Sequence, residues 1–349
     1  MKDRLKKMLA LLFGFVVIAN GAAVAQEKRA GTNAASELLI PVGARYIGSG
    51  GASIAAVEGV EAIFWNPAGL NRSSHSANAM FSYMRHIADI NVSFAAVSAN
   101  FSGFGTLGFS LKSLDLGEIN VTTEDVPDGN GATISPQFTI IGLTYSRALS
   151  DRVRVGATMN VINETIDRAS ATGFALDAGV QYSDLGRITG LSIGVTVKNI
   201  GPAMQYKGSG LLRQSQPDDI DRGSTPLQIV PQKDELPTTL ELGLAYALPL
   251  GNNAKLSLAS MYQDNNFQEN IGKFGAELSL RNMLFLRGGY SLSPDTPDDA
   301  AGKSVYLHGA TFGAGLHQDF TGLGVDINYA YRAQSFFNAS NVLTVSLGF

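Results

Sequence analysis

Strict two-residue alternation, repeated in long segments, constrains this chain more than any other feature. Leu323, Val325, Ile327, Tyr329 and Tyr331 share one face of an extended segment, while Gly324, Asp326, Asn328, Ala330 and Arg332 share the other. The same holds for Phe174, Leu176, Ala178, Val180 and Tyr182 against Ala175, Asp177, Gly179, Gln181 and Ser183. A strand points successive side chains to opposite faces, so each segment reads as a strand with one apolar face and one small or polar face. Strands of a soluble sandwich alternate too, so number and length decide. Turn chemistry bounds fourteen segments, near 76–86, 88–101, 104–122, 135–149, 152–168, 172–184, 190–200, 237–249, 254–266, 269–281, 283–294, 303–319, 322–334 and 338–349. Most have 11 or more residues, longer than the roughly 5–6 of common globular strands and enough to cross a bilayer when tilted.

The connections carry independent information. Short ones fall at even positions, at Ser102-Gly103, Ser150-Asp151, 185–189, 251–253, Arg281-Asn282 and around Thr321, and the long ones, 123–134, 201–236 and 295–302, all fall at odd positions. Bacterial membrane barrels have an even strand count, short turns at one rim and longer loops at the other. A sandwich has no reason to show that parity.

Residues 1–25 place the chain outside the cytosol. Lys2, Arg4, Lys6 and Lys7 precede an apolar run from Met8 to Ile18 and the small-residue site Ala23-Val24-Ala25, the pattern of a cleaved signal peptide. The run is too short for a spanning helix, which needs about 17–25 apolar residues, and no later stretch comes close. Cleavage leaves 22 basic and 29 acidic residues, a charge of −7, which removes nucleic acid from the candidate partners. An exported chain with only 16% charged residues and no spanning helix is left with one way to cross lipid, a closed barrel. The expected fold is therefore all-β: a fourteen-stranded antiparallel transmembrane barrel over 76–349, embedded in outer-membrane lipid with both mature termini periplasmic. Phe349 ends the last strand on the face of Leu343, Val345 and Leu347, and a terminal aromatic in that register resembles the signal read by the outer-membrane assembly machinery.

Residues 26–75 do not alternate. They are rich in Gly and Ala, with short helix-capable pieces near 34–39 and 54–57. Gly43-Ala44-Arg45, then Gly48-Ser49-Gly50-Gly51, then Trp65-Asn66-Pro67-Ala68-Gly69-Leu70 resemble the N-terminal hatch of FadL-like barrels, and most closely that of the PorV/PorQ family of outer-membrane proteins. Ser49 stands where family members often carry Met. The resemblance covers essentially the whole mature chain. It implies a hatch over 26–75 and a non-enzymatic role in type IX-linked protein secretion or surface attachment, with secreted cargo or other secretion components as partners. The alternative within the same superfamily is a channel for hydrophobic small molecules such as long-chain fatty acids. The residues themselves suggest a simpler part for the motif: Pro67 biases Asn66 away from helix, so Asn66 is expected to bond to its own backbone in a turn or to the barrel wall.

Chemistry is otherwise thin. The chain has no cysteine, and its histidines at 75, 86, 308 and 317 show no metal-ligand spacing. Gly103-Phe104-Gly105-Thr106-Leu107-Gly108 matches G-x-G-x-x-G, but a dinucleotide site needs a following helix and here a strand follows. Ser304 and His308 could share a strand face, with no third member or oxyanion hole. No catalytic residue, cofactor or metal is expected. Lumen charges at Glu241, Glu277, Arg287, Asp326 and Arg332 are expected to pack inside the barrel, partly against the hatch.

Overall fold

The computed structural model describes residues 31–122, 124–215, 225–293 and 307–349. The signal-peptide segment, the first hatch residues, the 295–302 loop, the first residues of the strand expected at 303–319, and Ser304 lie outside the described residues. Fourteen antiparallel strands close on themselves: β1 Ala77–Arg85, β2 Asn91–Phe101, β3 Gly105–Asp115, β4 Gln137–Ala148, β5 Val153–Ile166, β6 Ala169–Ser183, β7 Leu191–Ile200, β8 Thr239–Pro249, β9 Ala254–Asn265, β10 Ile271–Leu280, β11 Leu284–Leu292, β12 His308–Phe320, β13 Leu323–Gln334 and β14 Ser340–Gly348. β1 pairs with β14, Asn78 opposite Gly348, so no edge remains.

Each strand adopts the face assignment that its alternation dictates. Along β6, Phe174, Leu176 and Val180 are exposed, while Ala175, Asp177 and Gln181 are buried. Phe81, Phe109, Leu143, Phe312 and Leu343 are likewise exposed on the outer face, Phe312 by 59%. An apolar surface of this extent marks lipid as the solvent of the outer face. Short connections such as 102–104, 149–152 and 321–322 share one rim with Ser76 and Phe349, whose backbones hydrogen-bond at 2.7 Å. We call this the terminal rim, and the opposite one the loop rim.

One strand ends earlier than its pattern implies. The segment expected to run to 122 leaves the barrel after Asp115, whose carboxylate accepts the Gly117 N–H at 3.0 Å. Gly117 has φ +76°, a turn conformation that takes the chain off the extended path. Ile119–Asn120 then pairs with Thr133–Ile134 above the rim.

Residues 31–75 run inside the lumen. They form short pieces: a 3₁₀ turn Ser36–Leu39, α1 Ala44–Gly48, α2 Ala62–Trp65 and a second 3₁₀ turn Pro67–Asn71. None is long enough to be stable alone, so wall packing holds them. Tyr46, Ile47, Ile63, Trp65 and Leu70 join Met80, Met84, Phe94 and Val342 of the wall in one buried cluster. Ile54 is fully buried among Ala245, Ala259 and Met261. Burying a side chain of the size of Ile54 or Leu70 contributes roughly 1.5–3 kcal/mol, a strong anchor for so short a segment.

Candidate functional site

The hatch touches the wall through missing side chains. Gly156 faces Pro67 and Ala68, Gly179 faces Asn66 and Pro67, Gly194 faces Ile54 and Ala55, Gly243 faces Ile54, Gly275 and Gly289 face Ser49 and Gly50, and Gly313 faces Gly48. At nearly all of these positions a Cβ would occupy space already filled by hatch atoms. Register makes pairs of them: Gly156 lies opposite Gly179, Gly194 opposite Gly243, and Gly275 opposite Gly289. Strand glycines often mark a close backbone approach, and here they form a collar in which the hatch sits.

The motif residues have distinct places in this joint. Asn66 is fully buried and extended, φ −157°, as expected before proline. Its Oδ1 accepts the Ala68 N–H at 3.1 Å, while its Nδ2 donates to the carbonyls of Ile54 at 2.9 Å and Val180 at 3.2 Å. The turn and the wall anchor, weighed as alternatives in the sequence, are thus made by one side chain at once. Trp65 Nε1 donates to the Val42 carbonyl at 3.1 Å, and its ring lies against Gly51, where a side chain would collide. Gly50 and Gly51 have φ +73° and +69°, which glycine adopts without strain. Gly69 presses on the Val57 carbonyl, and Leu70 packs against Gly108 of β3. The carbonyl of Ala68 accepts from Ser146 at 3.0 Å, and the Ala44 N–H donates to Thr344 at 2.9 Å. Gly103 and Gly105 of the G-x-G-x-x-G string have φ +78° and +130° at the 102–104 turn, and β3 follows them rather than a helix. Phe349 stands exposed outside the terminal rim.

Above and below the collar lie two cavities that share no lining residue. The one toward the terminal rim, about 450 Å³, is charged: Arg45 bridges Glu58 at 3.0 Å and Glu277 at 3.5 Å, and Arg287 meets Glu277 at 2.6 Å and Asn328 at 2.8 Å. Glu277, Arg287 and Asp326 thus serve as polar packing, with Arg45 of the motif as the hatch partner. The cavity toward the loop rim, about 210 Å³, is bounded by Phe64, Trp65, Lys198, Glu241, Lys273 and Arg332. Glu241 is neutralised by Lys198 at 3.1 Å and accepts from Thr196 at 2.8 Å. Lys198 Nζ also stands 5.0 Å from the Phe64 ring centroid, as does Lys112 at 5.1 Å. Lys112 and Lys273 were not singled out from the sequence; their inward register on alternating strands was the available signal. Among the described residues no group of three or more His, Asp or Glu is placed to hold a metal.

Burial shifts two hatch carboxyls, Glu61 and Glu37, upward. Burial pushes Glu61 from 4.5 up to about 7, against the pull of Arg45 and Arg287 and with help from Asp326 and Glu277. One carboxyl oxygen has no hydrogen-bond partner among the described residues, and Gly43 leaves the room it occupies. A folded value raised above the free value favours the packed hatch fully below pH 4.5, and this contribution is lost as pH rises through about 7. Protection of the hatch amides from hydrogen exchange, corrected for intrinsic rate, is therefore expected to fall on the order of tenfold between pH 5.5 and 8.5. Glu37, also raised to about 7 by burial and by Glu164, contributes in the same direction. Glu61→Gln should flatten its share of the dependence; an unchanged profile in that variant would remove Glu61 from this role.

No family model matches the chain, and no curated protein matches it in sequence. Solved structures do match in fold. The CymD monoaromatic hydrocarbon channel superposes with a TM-score of 0.55 at 11% identity, covering 89% of this chain and 98% of that one. The Pseudomonas putida toluene transporter TodX gives 0.55 at 12% identity over 88% and 97%, and a Pseudomonas aeruginosa FadL homologue gives 0.50 at 11% over 89% and 98%. At these identities the likeness establishes a FadL-like barrel fold.

Proposed function

We propose that this chain is an outer-membrane barrel of the PorV/PorQ type, acting in protein secretion or surface attachment through its loop rim, with both termini periplasmic and Phe349 read during assembly. The observation that carries the reading is the build of the loop between β7 and β8. Its base is fixed: Met204 pairs with Asp234, Lys207 with Ser170, and Tyr206 donates to Glu164. From this base rises a hairpin, Leu212–Ser215 against Thr225–Gln228, and it presents Leu212, Leu227, Ile229 and Val230 to solvent, Val230 by 75%. A hydrogen-bonded loop that holds an apolar patch outside the barrel strands suits a protein partner. Asp218, Asp219 and Asp221, the acidic residues of this loop, lie outside the described residues.

The hatch supports the same reading, because it is seated in a glycine collar between two cavities that share no lining residue. A FadL-type channel for hydrophobic molecules is the second reading, favoured by the fold shared with hydrocarbon channels.

The test is a photo-reactive amino acid placed at Val230 in intact cells, with Phe312 on the lipid-facing surface as control. Protein adducts at 230 and none at 312 are expected, and their identity separates cargo from secretion components. Absence of adducts at 230, in cells that take up fatty acids through this protein, would favour the channel.

A further inference from the structure

We infer that the hatch regulates the docking loop: a seated hatch braces the base of the loop between β7 and β8, and a displaced hatch releases it. The consequence for partners rests on the docking role proposed above, whereas the coupling rests on geometry alone. Both legs of the loop stand on the first hatch residues. On the returning leg, the Glu235 carbonyl accepts the Ala34 N–H at 3.0 Å. On the outgoing leg, Tyr206 donates to Oε2 of Glu164, and Oε1 of the same carboxylate accepts the Ala35 N–H at 3.1 Å. Glu164 is a buried residue of β5, so one wall side chain clasps loop and hatch together.

Apolar packing closes the same joint. Ala35 and Leu38 are buried with Met204 and Leu236, one residue from each leg, against Ile140 and Ile162 of the wall. Withdrawing the two hatch side chains would return part of that apolar surface to water and loosen both legs at once.

A strained turn gives the joint two states. Ala35 lies in the left-handed region, φ +52° and ψ +46°, a conformation that costs a residue with a Cβ and persists only where its surroundings impose it. Relaxation of Ala35 would swing its N–H away from Glu164. Lys112 opposes that relaxation, because its Nζ donates to the carbonyls of Glu37 at 2.6 Å and Ile40 at 2.5 Å. Only Pro41 separates Ile40 from Val42, whose carbonyl accepts from Trp65. Movement at Ala35 therefore reaches the middle of the hatch, and the coupling runs equally in the other direction.

The full mature barrel in detergent tests the coupling from each side. On the hatch side, Lys112→Met frees the Glu37 and Ile40 carbonyls and Gly156→Leu acts on the collar, and neither residue belongs to the loop. Hydrogen exchange of the Met204, Lys207 and Asp234 amides, which bond to Asp234, Ser170 and Met204 in the loop base, is expected to quicken about tenfold in both variants. On the loop side, Tyr206→Phe removes one hydroxyl and should raise acrylamide quenching of Trp65, the sole tryptophan of the chain, several-fold. Adding Ala35→Gly should recover part of that loss, since glycine holds a left-handed turn without strain. Heat-dependent gel mobility verifies that each variant is a folded barrel. Loop-base exchange unchanged in both folded hatch variants would overturn the inference, and so would Trp65 quenching unchanged in Tyr206→Phe. These readouts need no partner, whereas the docking reading is tested by the adducts at Val230. In cells that give those adducts, Lys112→Met is expected to reduce them about tenfold; undiminished adducts would overturn the regulation and leave the docking reading standing.

Discussion

Gly156→Leu is expected to drive the hatch from its seat and turn a closed barrel into a leaking one. A Cβ at Gly156 already falls on the backbone of Pro67 and Ala68, and three further carbons have no free volume on either side. Overpacking a close-packed site costs about 1–3 kcal/mol even for one or two methylenes. Here the obstacle is hatch backbone, which cannot rotate away as a side chain does. The 66–68 segment must lift, and with it go the Asn66 bonds to Ile54 and Val180. The expected result is a variant that reaches the membrane at normal levels and admits large antibiotics to the cell. Gly288→Ala is the control: it substitutes the same residue type in the same sheet, and its Cβ meets nothing nearer than Thr311 O at 4.0 Å. Equal antibiotic resistance in Gly156→Leu and Gly288→Ala would show that the collar does not retain the hatch.

Replacing the hairpin 212–228 by a two-residue Asn-Gly link is expected to abolish secretion or surface display while leaving a folded barrel. The chain is already closed at this level, because the Ile229 N–H donates to the Leu211 carbonyl at 2.9 Å, and Asn-Gly suits a tight connection there. Removing all of 201–236, as the turn-rich composition of the loop invites, would do more damage. Met204 and Leu236 are buried against Ile140, Ile162 and Ala175, and the Ala34 N–H donates to the Glu235 carbonyl at 3.0 Å. The measurement pairs exported protein with fatty-acid uptake. Normal export with the hairpin gone would contradict the docking role.

That loop marks where sequence reading stops. Alternation and turn parity were enough for the strands, because a barrel strand repeats one local rule fourteen times and each repeat can be read alone. The base of the 201–236 loop obeys no local rule: Met204 is buried because Gly173 leaves a hollow for it, a contact made across the fold. The hatch is harder still, since α1 spans five residues, too few for a helical period to show, and the turn over Pro67–Asn71 is fixed by wall contacts. Gly179 was visible on the small or polar face of its strand, but the collar exists only in register, where Gly156 meets Gly179 and Gly194 meets Gly243. The pairing of Glu277 with Arg45 likewise joins segments more than two hundred residues apart in sequence. The outer face of Phe349 was legible, because it continues the alternation of β14 by one residue.

The proposed role, binding rather than conduction, requires that the hatch keep the FadL-like barrel shut. Ion current through the purified wild-type protein in a planar lipid bilayer tests it most directly. No stepwise conductance is expected from the wild type under conditions in which Gly156→Leu opens discrete steps. Stable conductance steps from the wild type, at voltages the barrel survives, would contradict it.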